Sequence, residues 1–194
     1  MIEDREPEQD DLEEGEEVER EAYQYYKCSI TCACAAHPDP LKESKSLAAT
    51  KLPPRTYQPA LQLVNGLSNA QMEAYVYCMQ EHEEFHVTGT RKGFINGDGT
   101  GVGKGRFGAA ILLANRVKRQ VWFSASKDLM EDARRDLTDI GAVIDTISIK
   151  EIRPTEKIRD RFRTGIIFVT YAMLSQNKLR VDQLIEWLAG HDAN

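Results

Sequence analysis

Every second residue from Gly97 to Gly105 is a glycine, and Lys104 is placed among them: Gly97-Asp98-Gly99-Thr100-Gly101-Val102-Gly103-Lys104-Gly105-Arg106. Glycines let backbone N–H groups turn inward around phosphate oxygens, and a lysine in such a loop reaches the outer phosphates. The apolar run 93–97 predicts a strand entering the loop, and 103–116 predicts a helix leaving it. The positive end of that helix dipole adds to the attraction for anions. The pattern implies that Gly99, Thr100, Gly101, Val102, Gly103, Lys104, Gly105 and Arg106 bind ATP or another nucleoside triphosphate, with Lys104 as the catalytic charge. As a side chain, Arg106 reads as a helix-start surface charge rather than a phosphate ligand.

The loop departs from the strict form Gly-x-x-x-x-Gly-Lys-Ser/Thr, which asks for glycine at 98 and a hydroxyl at 105. The chain has Asp98 and Gly105 there. The missing hydroxyl matters because it normally ligates Mg²⁺. Thr100 is the hydroxyl within the loop. The core Gly101-x-Gly103-Lys104 suits the looser helicase form. A flexible glycine linker that happens to hold a lysine is the alternative, and the strand-like and helix-like flanks argue against it.

The elements that must position this loop alternate. A helix opens near Leu67 with Ser68 as N-cap and Met72, Val76 and Met79 at helical spacing. Strand is expected at 93–97, 120–124, 142–149 and 165–170, and helix at 103–116, 127–140, 151–163 and 181–189. Strand–helix alternation with Val-, Ile- and Phe-rich strands argues for an α/β fold, a parallel sheet flanked by helices. Ligands of such sheets bind at the carboxyl ends of the strands. The 97–105 loop and the turns at 124–127 and 170–171 are therefore expected along one edge.

The chain has 194 residues and a net charge of −6. Residues 1–22 carry 12 acidic and 2 basic side chains and almost no apolar ones, which reads as a disordered acidic arm. Folding back on a basic surface as a nucleic-acid mimic is the sharper alternative. Residues 23–66 read as an extended entry segment, punctuated by Pro38, Pro40, Pro53, Pro54 and Pro59, and 67–194 as the nucleotide-binding domain. Cys28, Cys32, Cys34 and His37 offer soft ligands for zinc, but their spacing is irregular and no second knuckle follows. The thiols read as reduced and structural, and no metal site is assigned to them. Nothing resembles a signal peptide and no apolar run could span a membrane, so an intracellular protein is expected.

The loop from Gly97 to Arg106 resembles that of strawberry notch proteins, helicase-like members of superfamily 2. The resemblance runs from about 37 to 190. It includes His37-Pro38-Asp39-Pro40, Leu52-Pro53-Pro54-Arg55-Thr56-Tyr57, Gly66-Leu67-Ser68, Trp122-Phe123-Ser124, Asp132-Ala133-Arg134-Arg135-Asp136-Leu137 and Gly165-Ile166-Ile167-Phe168-Val169-Thr170-Tyr171. It implies a RecA-like P-loop NTPase fold using ATP and Mg²⁺, and Gly105 is usual in it. It also implies that Gln71 reads adenine, since an amide can both donate to and accept from the base edge. Ser124, Ser126 and Thr170 fall where helicases touch the backbone of DNA or RNA; ordinary capping is the competing role of Ser126. Lys150, Arg153, Lys157, Arg159, Arg161 and Arg163 make a basic stretch that could support nucleic acid, although a solvated helix face is the commoner meaning.

Family members are expected to continue into an apolar strand ending in Asp-Glu-x-His, whose acids hold Mg²⁺. The chain stops at Asn194, before such a strand. It therefore reads as the first part of a RecA-like lobe, a fragment or truncated product, expected to bind nucleotide weakly and to turn it over slowly or not at all. The uncompleted sheet is expected to leave an unpaired edge. In the complete family the implied activity is ATP-driven action on nucleic acid, with transcriptional regulation in eukaryotic members. The compartment would be cytoplasmic in a bacterial or phage setting and nuclear in a eukaryotic one. A catalytically silent nucleotide- or partner-binding module is the alternative, with protein partners possible.

Overall fold

The computed structural model describes residues 22–30, 34–115 and 118–190, apart from the side chains of Leu61 and Val64. The acidic arm (except Ala22), Cys32 and residues 191–194 lie outside the described residues. In chain order the elements are β1 (Tyr23–Tyr25), β2 (Lys42–Ser44), α1 (Lys45–Ala48), α2 (Leu61–Val64), α3 (Asn69–His82), α4 (Lys104–Asn115) and β3 (Arg119–Ser124). Then come α5 (Leu129–Asp139), β4 (Thr146–Ser148), a 3₁₀ turn at Ile149–Glu151, α6 (Ile158–Arg161), β5 (Gly165–Thr170), α7 (Tyr171–Gln176) and α8 (Lys178–Ala189).

β3, β5 and β4 form a parallel sheet in that order, with β5 in the centre. The sequence of β5 explains its place. Its apolar run Ile166-Ile167-Phe168-Val169 is buried throughout, as a strand covered on both faces must be. Side chains alternate along it. Ile166 joins a core with Met72 and Val76 of α3, Phe107 and Ala110 of α4 and Leu137 of α5. Ile167 and Val169 face the other way, against Leu184 and Trp187 of α8 and Ile149, Ile152 and Ile158. β1 and β2 pair antiparallel as a separate ribbon. No helix among the described residues is long and apolar enough to cross a membrane.

The α/β class of fold, a parallel sheet flanked by helices, agrees with the sequence reading. Three local expectations do not hold. Residues 93–97 form no strand: none of the sheet strands pairs with them, and Ile95 is 93% exposed. A strand exists through its ladder of inter-strand hydrogen bonds, so an apolar pattern without a neighbour stays irregular. The polar helix expected at 151–163 breaks into the 3₁₀ turn and the short α6. Pro154 is the cause, because it lacks an N–H and biases Arg153 away from helical backbone. Finally, the turn at 170–171 opens α7, and α8 begins at Lys178, where the Asn177 side chain accepts from the N–H of Arg180 at 3.2 Å.

Candidate functional site

Ser68 and Gln71 form a capping box at the start of α3: Gln71 Oε1 accepts from the Ser68 N–H at 2.9 Å, and the Gln71 N–H donates to Ser68 Oγ. The other end of the same amide crosses to the glycine loop. Gln71 Nε2 donates to the Val102 carbonyl at 3.1 Å and lies 3.5 Å from the Gly103 carbonyl. Gln71 is only 7% exposed. A buried glutamine thus ties the loop to α3. A base edge would have to share the amide, through the second lone pair of Oε1 and by trading the long contact to Gly103.

The loop is curled. Gly101 and Gly103 have φ of +90° and +87°, in the left-handed region that glycine adopts without penalty. Lys104 opens α4, and its Nζ donates to the carbonyls of Asp98 and Gly99 at 2.7 Å each. The ammonium is therefore held inside the loop by oxygens that a phosphate could replace. Asn96 Oδ1 accepts from the Asp98 N–H at 2.8 Å, while its buried Nδ2 has no partner among the described residues. Gly99 and Thr100 are exposed at the tip.

Two cavities flank the loop. One, of about 350 Å³, is lined by Gln71, Gly101, Val102, Gly103, Arg106 and Asp136 together with His37 and Pro38. The other, of about 610 Å³, is lined by Asn96, Asp98, Gly99, Val102, Tyr26 and Glu73 among others. Both fall in the range of ligand-binding clefts.

α5 closes the loop from behind. Arg106 pairs with Asp139. A Cβ on Gly105 would overlap the Asp136 carboxylate where it stands, so a side chain at 105 requires that carboxylate to move. Burial raises the Asp136 carboxyl above the ordinary carboxylate range, against the opposing pull of Arg135 and Arg106.

Ser124 and Thr170 are brought together as register partners at the carboxyl ends of β3 and β5. Ser124 is buried and Thr170 half-buried. Beside them Phe123 and Tyr171 stack at 6.2 Å and 15°, both exposed. Ser126 Oγ accepts from the Asp128 N–H at 3.3 Å, so it caps the turn before α5 rather than the helix itself, whose N-cap is Asp128. No hydrogen bond or ion pair among the described residues joins the loop to Ser124, Ser126 or Thr170. The strand-end rule presumes a loop on the end of a sheet strand, and 93–97 is not one.

Sequence reasoning missed Asp136, Asp139 and Glu73. Glu73, buried in α3, accepts from Cys28 Sγ at 2.9 Å and from the Ser29 N–H at 2.7 Å, fastening the entry segment. Burial, and next the Glu73 carboxylate, push the Cys28 thiol up to about 11; burial pushes Cys78 up to about 12. Such thiols are poor nucleophiles.

Residues 36–194 match the P-loop containing NTP hydrolase pore-1 family. The chain is similar to strawberry notch homolog 1 of Gallus gallus, with 43% identity over 169 residues, 78% of this chain and 14% of that protein. Strawberry notch homolog 1 of Rattus norvegicus is 40% identical over 204 residues, 95% of this chain and 16% of that protein. The FORGETTER 1 protein of Arabidopsis thaliana is 34% identical over 198 residues, 90% of this chain and 15% of that protein. The chain thus spans a small part of these relatives' length. No solved structure matches it. A glycine–lysine loop opening a helix beside a parallel sheet, found within this alignment, leads to one assignment: the chain belongs to the strawberry notch family of P-loop NTP hydrolases.

Proposed function

We propose that this chain is the nucleotide-binding part of a helicase-like ATPase that acts on nucleic acid. The observation that carries it is the loop itself: left-handed glycines at 101 and 103, Lys104 at the start of α4, and Gln71 pinning the carbonyl side. These residues fit a triphosphate. The α4 N-terminus suits its oxygens, and Lys104 would exchange the Asp98 and Gly99 carbonyls for the outer phosphates. The unpartnered Nδ2 of Asn96 is a further donor at the loop. Gln71 is the amide we assign to adenine, which would have to share it with Ser68 and the loop carbonyls. Mg²⁺ supplies neutralisation of the phosphate charge when bound, the main need of phosphoryl transfer.

Nucleic acid is assigned to the carboxyl ends of β3 and β5. Ser124, Ser126 and Thr170 offer hydroxyls and turn N–H groups for phosphate oxygens, which position a backbone without reading sequence. The exposed Phe123–Tyr171 stack beside them and the exposed basic side chains between Lys150 and Arg163 support this reading. Action on nucleic acid by the complete protein, its regulation of transcription and its compartment are part of the same proposal.

The test is calorimetry of Mg-ATP with this chain and with Lys104→Ala. Saturable binding that Lys104→Ala abolishes supports the loop as the site, and turnover is then sought with DNA and RNA. A folded protein that binds no nucleotide overturns the reading and leaves a partner-binding module.

A further inference from the structure

The strict phosphate loop carries a hydroxyl after its lysine, and that oxygen ligates Mg²⁺. Here the position is Gly105, and the space its side chain would need is filled by the carboxylate of Asp136 from α5. The two compete for one space: a serine or threonine at 105 would require the Asp136 carboxylate to swing away. Asp136 also stands open. Arg106 beside it pairs with Asp139, and Arg135 pairs with Asp132 at 2.8 Å. No hydrogen-bond donor among the described residues reaches the Asp136 side chain. Its carboxylate lines the same cavity as Gln71 and Gly101 to Gly103. A hard, charged oxygen of this kind suits Mg²⁺, which is commonly held by one or two carboxylates together with substrate phosphates and water.

We propose that Asp136 replaces the missing loop hydroxyl as the protein oxygen that holds the nucleotide's Mg²⁺, directly or through one of its waters. The proposal rests on nucleotide binding at the loop. It makes Gly105 a condition of the site, because the carboxylate needs the room that the glycine leaves.

The experiment compares ATP affinity with Mg²⁺ and with EDTA in the full chain, in Asp136→Asn and in the double variant Gly105→Ser with Asp136→Ala. Asp136→Asn keeps the shape and removes the charge. In the wild-type chain Mg²⁺ is expected to tighten ATP by about tenfold or more. In Asp136→Asn the metal-free affinity is expected to hold or improve, while the Mg²⁺ advantage falls below about twofold. The double variant, with a hydroxyl in the vacated space, is expected to regain most of it. Mn²⁺ in place of Mg²⁺ gives a second readout, the electron paramagnetic resonance line shape of the ternary complex, which Asp136→Asn is expected to change. An unaltered Mg²⁺ advantage and Mn²⁺ spectrum in Asp136→Asn would overturn the assignment. An equal loss of metal-free and Mg²⁺-bound affinity would also overturn it, since that is what a purely structural residue gives. Absence of ATP binding in the wild-type chain under both conditions is a different result: it removes the nucleotide site itself, and this proposal with it.

Discussion

Gln71 is where the loop and the fold are most directly coupled, and removing its amide gives a measurable cost. Gln71→Ala deletes the 2.9 Å bond from the Ser68 N–H and the 3.1 Å bond to the Val102 carbonyl. Each neutral hydrogen bond contributes about 0.5–1.5 kcal/mol net, and a buried donor left unsatisfied costs about 1–3 kcal/mol. Ser68 is only 9% exposed, so water does not fully replace its partner. The sum is about 2–4 kcal/mol, a large share of the roughly 5–15 kcal/mol that holds a domain folded. Gln71→Glu separates the two ends. It keeps an acceptor for Ser68 but faces the Val102 and Gly103 carbonyls with a carboxylate. Burial and those carbonyls favour the protonated form, so the folded pKa of the new acid lies above its unfolded value. Its penalty is then full above the folded pKa and shrinks as pH falls through it, because the protonated acid can donate again. Urea unfolding followed by circular dichroism at neutral and mildly acidic pH measures both effects. A Gln71→Ala protein within about 0.5 kcal/mol of wild type, or a Gln71→Glu deficit that does not shrink in acid, would refute the reasoning.

Lys104→Ala is expected to abolish triphosphate binding while changing stability by less than about 0.5 kcal/mol, because the side chain is exposed; calorimetry and urea unfolding separate the two. Glu73→Ala should cost about 2–4 kcal/mol, given that hydrogen bonds to charged groups are the stronger kind. It should also speed labelling of Cys28 by a thiol reagent, since the Glu73 carboxylate is the second contributor, after burial, to a thiol pKa of about 11. The raised Asp136 carboxyl opposes folding above its folded pKa, and that cost vanishes below the unfolded value, where the acid is protonated in both states. Asp136→Asn is accordingly expected to raise the melting temperature at neutral pH and to flatten the loss of stability on going from acid to neutral. Equal pH profiles for variant and wild type would contradict the assignment of the shift to burial. Ser124→Ala combined with Thr170→Ala should weaken single-stranded nucleic-acid binding about equally across sequences, read by fluorescence anisotropy, because phosphate contacts carry no sequence information.

What the sequence disclosed was what depends on neighbouring residues. The helix at Ser68, the helix after the loop and the β3 and β5 strands follow from caps, periodicity and apolar runs. The break at 151–163 was also legible, through Pro154, but the basic residues on either side suggested one continuous face. Pairing was not legible. The run 93–97 has a strand's composition, yet strand formation depends on a partner at another place in the chain. The role of Gln71 was readable only in part. Its spacing from Ser68 marks a capping box, but its second bond, to Val102, spans 31 residues of chain and belongs to tertiary structure.

The same limit explains why Asp136 was not found and why it matters. The departure at Gly105 looked like a subtraction from the loop, an oxygen lost. In three dimensions it is an exchange between two helices. α4 gives up a side chain at its first turn, and α5 brings a carboxylate into the space. A loop hydroxyl is neutral and fixed to the phosphate-binding helix; a carboxylate from α5 is charged and moves with a different element. α5 follows β3, whose carboxyl end holds the proposed nucleic-acid contacts Ser124 and Ser126. A displacement of α5 on binding nucleic acid would move Asp136 relative to Gly105, and a displacement on binding Mg-nucleotide would move Ser126 and the turn it caps. Linkage makes such an effect reciprocal: if single-stranded DNA or RNA tightens Mg-ATP by some factor, Mg-ATP must tighten the nucleic acid by the same factor. In Asp136→Asn that factor is expected to fall toward one for both ligands. An undiminished factor would place the coupling outside α5.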